Sequence, residues 1–73
     1  MTSEYARQNA MVFDHLRTAP ITPMDALNRY GCFRLAARIY DLRSAGHEIV
    51  TLRVLNEHGN SYAQYVMVRQ ARR

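Results

Sequence analysis

The chain has no lysine, no tryptophan and a single cysteine, with only two prolines and three glycines among its 73 residues. One cysteine, Cys32, excludes an internal disulfide framework and gives no sign of an oxidising compartment. No apolar run approaches the ~20 residues needed to cross a bilayer. The opening MTSEYARQNA lacks the basic segment and apolar run of a secretory signal, so a cytoplasmic protein without membrane association is expected. Glycine-rich phosphate loops, paired catalytic carboxylates and serine nucleophile motifs are missing, so no enzymatic activity, cofactor or small-molecule ligand is expected. His15, Cys32, His47 and His58 show no paired C-x-x-C or H-x-x-x-H spacing, so no metal site is expected. A chain this short buries only about 60% of its unfolded surface, which predicts one small domain of modest stability.

What is present is arginine, which supplies all ten basic residues and a net charge of +4. Its planar fork of donors matches a phosphate or the O6/N7 edge of guanine, whereas lysine offers a mobile point charge. A GC-rich coding composition produces the same bias, so position matters more than total. Residues 1 to 31 are neutral, with Arg7, Arg17 and Arg29 against Glu4, Asp14 and Asp25. Residues 32 to 73 hold Arg34, Arg38, Arg43, Arg53, Arg69, Arg72 and Arg73 against Asp41, Glu48 and Glu57, so all the excess charge lies there. A polyanion would be drawn to that half and orient the molecule.

Three helical patterns precede a change of period. From Glu4 to Arg17, Ala6, Asn9, Val12, Phe13 and Leu16 share one stripe, with Ser3 as the cap. TAPIT interrupts it. A second, short helix follows, with Thr22 at the N-cap, Pro23 at the first helical position, Asp25 in the acidic first turn and Gly31 as the stop. Ala26, Leu27 and Tyr30 are its inward residues, and Ile21 staples onto Ala26. In the third helix Leu35, Ile39 and Leu42 form an apolar seam widened by Ala36, and Gly46 ends it. Arg34, Ala37, Arg38 and Asp41 are expected opposite that seam. Two arginines flanking a small alanine suit a helix laid into a major groove, although a merely solvated face has the same composition.

From His47 onward the pattern alternates with period two. With a turn near His58 and Gly59, Leu52 faces Tyr65 and Val54 faces Ala63, giving one wholly apolar face to close over the helices. The other face is then expected to carry Arg53 beside Gln64, near a polar tip of Asn56, His58, Asn60 and Ser61 suited to phosphate or minor-groove contact.

Three helices followed by a hairpin give an α+β winged helix, a helix-turn-helix core with a two-stranded wing. The stretch ITPMDALNRYGCFRLAARIYDLRSAGHEI resembles the core of small helix-turn-helix proteins of phages and prophages, which share a TP…AL…GC.RLAARI.DLR..GH.I pattern. The matching elements are Gly31, Cys32, Arg34 to Ile39, Gly46 and His47, and the likeness runs roughly from Asn9 to Tyr65. It implies DNA binding through the third helix and the wing. One departure concerns the turn: Ala26 and Gly31 are five apart where four is usual, so the helix crossing does not carry over.

The expected DNA-contacting set is Cys32, Phe33, Arg34, Ala37, Arg38 and Asp41 from the third helix and its approach, and Arg53, His58, Asn60 and Gln64 from the wing. Arg72 and Arg73 add a basic tail to a domain ordered over about 4 to 69. Phe33 or Ala37 would touch a thymine methyl, and Cys32 also reads as a small, semi-buried residue. The expected partner is double-stranded DNA, bound by a sequence-specific, phage-type transcriptional regulator as a homodimer or cooperative array. Two alternatives are an architectural or recombination-cofactor protein that coats or bends DNA, and a winged-helix protein-interaction module.

Overall fold

The computed structural model describes residues 3 to 71. Its elements are helices α1 (Glu4–Leu16), α2 (Pro23–Tyr30) and α3 (Leu35–Ser44), then strands β1 (Glu48–Leu55) and β2 (Ser61–Arg69). Local chemistry sets the helix ends. The Ser3 hydroxyl accepts from the Ala6 amide and starts α1. At α2, Thr22 Oγ1 accepts from the Asp25 amide at 3.1 Å, while the Asp25 carboxylate accepts from the Thr22 amide at 3.2 Å, a reciprocal capping box. Pro23 needs no amide partner at the first helical position.

Gly31 ends α2 with φ +64, a left-handed conformation that suits glycine. The reversed chain carries the Cys32 amide back to the Ala26 carbonyl at 3.0 Å. This bond fixes the turn between α2 and α3, where the five-residue spacing had left the geometry open.

The core is formed by Val12, Leu16, Ile21, Ala26, Cys32, Leu35, Ile39, Leu42 and Ile49, with Phe13, Tyr30, Tyr65 and Met67 packed against it. Every helix and strand β1 contribute buried side chains, and β2 packs against them through Tyr65 and Met67. Leu27, expected to face inward, lies at the surface, because the short α2 turns only a narrow stripe toward the core. His15 joins α1 to α2: its Nε2–H donates to the Pro20 carbonyl at 3.0 Å, leaving Nδ1 to accept from the Tyr30 hydroxyl at 2.8 Å. His47 is structural too, stacking on Phe13 and accepting from the Ala71 amide at 2.9 Å.

β1 and β2 are antiparallel, and Ile21 pairs with Tyr65 on the other edge of β2 through bonds of 3.0 and 2.8 Å. β2 is therefore central at that level. The register differs from the expected one. Thr51 lies opposite Tyr65, Leu52 opposite Gln64 and Arg53 opposite Ala63. The cause is the loop: Asn56 and Asn60 close the hairpin, leaving Glu57, His58 and Gly59 between them, with Gly59 at φ +83. A three-residue loop with a left-handed glycine shifts the pairing by one relative to a two-residue turn. The Asn56 side chain stabilises it by accepting from the His58 and Asn60 amides at 2.9 and 3.0 Å.

That shift divides the apolar face anticipated from the alternation. Ile49, Tyr65 and Met67 pack against the helices. Val50, Leu52 and Val54 lie on the opposite face with Tyr62, Gln64 and Val66, and Val50, Leu52 and Tyr62 are exposed. Arg53 and Gln64 consequently occupy opposite faces of the wing.

Candidate nucleic-acid interface

Helix α3 is anchored by Leu35, Ile39 and Leu42, as the seam predicted, but Arg38 rather than Ala36 widens the buried stripe. Its spacing explains the placement. Arg38 is three residues after Leu35 and four before Leu42, on the inward flank of the seam. Its side chain is only 7% exposed. Its Nη2 lies 3.1 Å from Asp41 Oδ2, and its guanidinium carbon is 4.3 Å from the centroid of the Tyr5 ring. Asn9 Nδ2 donates to the same Asp41 oxygen at 3.2 Å, tying α1 to α3.

Arg38 therefore clamps two helices and does not project toward a duplex, which corrects its expected role. Asp41 is held in the same cluster. Cys32 is also withdrawn: it is 1% exposed, and its thiol lies 3.6 Å from Gln8 Oε1 as a weak donor.

Other members of the expected set are open to solvent. Arg34 is exposed at the N-cap of α3 and makes no side-chain cap hydrogen bond; its carbonyl accepts from the Ala37 and Arg38 amides at 3.1 and 3.3 Å. Phe33 is exposed in the turn just before it, and Ala37 is half-buried on the helix. In the wing, Arg53, His58 and Asn60 are exposed and Gln64 is half-buried. Arg72 and Arg73 lie outside the described residues.

The expected DNA-contacting set left out three exposed residues of these elements. Tyr40 is exposed one turn after Ala36, a relation its i, i+4 spacing already contained. Arg29 is exposed in the last turn of α2. Arg43 reaches from the end of α3 to β1, donating to the Ile49 carbonyl at 2.9 and 2.7 Å and to Thr51 Oγ1 at 3.0 Å. Nothing in the helical pattern signals that last contact, because it depends on where the strand returns.

The ion pairs sort the arginines into two groups. Arg7, Arg17, Arg38 and Arg69 pair with Glu4, Asp14, Asp41 and Glu48. Among the described residues, Arg29, Arg34, Arg43 and Arg53 form no salt bridge, and all four are exposed. They belong to the end of α2, the two ends of α3 and the wing. Among the described residues, the arginine charge without a carboxylate partner thus lies on the helix-turn-helix and the hairpin.

The winged helix-turn-helix domain family matches residues 7–70. The chain belongs to this family. Comparison with curated proteins and with solved structures gives no match. A winged helix-turn-helix domain points to DNA as the partner, in keeping with the exposed arginines that have no carboxylate partner. Among the described residues no helix is long and apolar enough to cross a membrane.

Proposed function

We propose that this winged helix-turn-helix domain binds double-stranded DNA as a sequence-specific regulator of the phage type, acting by occupancy rather than catalysis. The observation that carries the reading is the segregation of Arg29, Arg34, Arg43 and Arg53, exposed and without carboxylate partners, on the helix-turn-helix and wing. Helix α3 enters the major groove from its N-terminal end. Arg34 meets a phosphate or base edge, and Arg53 holds the backbone from the wing with His58 and Asn60.

Each guanidinium placed on a phosphate releases condensed counterion, so affinity falls with salt in proportion to the number of such contacts. The test is binding to genomic DNA fragments across a salt series. The Arg34→Ala and Arg53→Ala variants are each expected to lower the slope of log affinity against log salt by about 0.9 without altering stability. Unchanged affinity and slope in both folded variants would remove the helix and the wing from the interface.

The withdrawal of Arg38 favours a second reading, in which the domain coats or bends DNA with limited base specificity, since it leaves α3 with fewer polar groups able to read base edges. Footprinting separates the two. A regulator protects one compact site, whereas a coating protein protects a phased, cooperative series.

A further inference from the structure

Resting on that reading, we propose that α3 reads the major groove through the C5-methyl groups of pyrimidines, with Phe33, Ala36, Ala37 and Tyr40 as the contacting surface. Phe33 and Tyr40, at 84% and 70%, are the most exposed large hydrophobic residues among those described, and they come from one short segment, the turn and the helix that follows it. Ala36 and Tyr40 are neighbours on one helix face by their i, i+4 spacing, and Ala37 adjoins them. Beside the Tyr40 ring the helix therefore presents the methyl-sized side chains of Ala36 and Ala37, which allow close approach, and Phe33 stands exposed in the turn that leads into it.

This surface fits one feature of the groove. Guanine, cytosine and adenine present donors and acceptors there, and thymine alone among the unmodified bases adds an apolar group. A 5-methylcytosine carries a methyl at the same ring position. Bidentate reading of guanine from the middle of α3 is not available, because Arg38 is held under Tyr5 and against Asp41, while Arg43 is bonded to the Ile49 carbonyl and Thr51. Charge identifies the occupant. The aromatic and alanine face belongs to a segment bounded by the exposed Arg34 and Arg43, neither of which forms a salt bridge among the described residues, with Arg29 and Arg53 on the neighbouring elements; their positive charge matches a polyanion carrying apolar groups and not an apolar protein surface.

The experiment begins by enriching a random-sequence duplex pool on the full chain. The winning site is then resynthesised with each thymine in turn replaced by uracil, which removes one methyl and leaves every hydrogen-bonding group in place. The expected result is a loss of about four-fold per contacted methyl, the factor equivalent to burying one CH₂-sized group. Phe33→Ala and Tyr40→Ala should each abolish that sensitivity at their own position while binding the uracil duplex about as well as the unmodified protein does. Tyr40→Phe, which keeps the ring, should retain it. A winning site bound equally with thymine or uracil throughout, or retention of DNA without any enriched sequence, would overturn methyl reading and leave DNA binding standing. If no duplex is retained even at about 50 mM salt, where phosphate contacts are strong, the DNA-binding reading falls and this inference with it.

Discussion

Replacing Arg38 with alanine is expected to weaken folding by about 2 kcal/mol while leaving the salt dependence of DNA binding unchanged. The magnitude follows from the environment of the side chain. Truncation removes two buried methylenes beyond Cβ, about 0.8 kcal/mol each. It also removes the contact with the Tyr5 ring at 4.3 Å, about 0.5–1 kcal/mol because that ring is largely exposed. The pair with Asp41, whose side chain is 37% exposed, contributes at most about 1 kcal/mol after solvent screening. Against these stands relief of two buried donors, Nε and Nη1, that have no partner among the described residues, about 1 kcal/mol or more. In a domain of this size the net loss lowers the melting temperature by roughly 8–16 °C. Arg38→Met, which keeps an apolar stem and introduces no charge, should cost less than about 1 kcal/mol. Thermal unfolding followed by circular dichroism gives the stability, and fluorescence anisotropy across a salt series gives the DNA slope. An Arg38→Ala protein that melts like the parent yet loses about 0.9 from its salt slope would refute the clamp and return Arg38 to the phosphate-contacting surface.

Thr22→Ala removes one half of the capping box and should destabilise the domain by about 1 kcal/mol in urea unfolding, with Thr22→Ser restoring most of the loss. Gly59→Ala places a Cβ in open space but at φ +83, so backbone strain alone should cost about 1–2 kcal/mol, read as a lower melting temperature. The Glu4 carboxyl is held below the usual glutamate range by its hydrogen bonds from Arg7 and Gln8. Its contribution to α1 is therefore present above the unfolded-state pKa and lost as pH falls through the lower folded-state value. An NMR titration of the Glu4 side-chain carboxyl should show the depressed midpoint, and Arg7→Ala should raise it.

Helix boundaries were legible because they rest on local chemistry. Ser3, the Thr22–Pro23–Asp25 group and Gly31 act within a few residues of themselves, and each occupies the position its chemistry implied. The seam of Leu35, Ile39 and Leu42 was equally plain, since spacing alone places these residues on one stripe. Arg38 was misjudged because charge was allowed to outweigh spacing. The spacing put it on the flank of the seam, and the Asp41 carboxylate with the Tyr5 ring makes that place tolerable for a cation.

By itself the sequence determined the order of elements, their caps, the apolar seam of α3 and the accumulation of arginine toward the second half. These follow from short-range periodicity and from composition, which no later contact alters. Tertiary structure decided which arginines are neutralised, which face of the hairpin covers the helices and which side chains of α3 remain in water. Those outcomes depend on a three-residue loop that moves the pairing by one and on contacts between groups far apart in the chain, such as Asn9 with Asp41 and Ile21 with Tyr65. Distances of that kind are set only when the chain closes on itself.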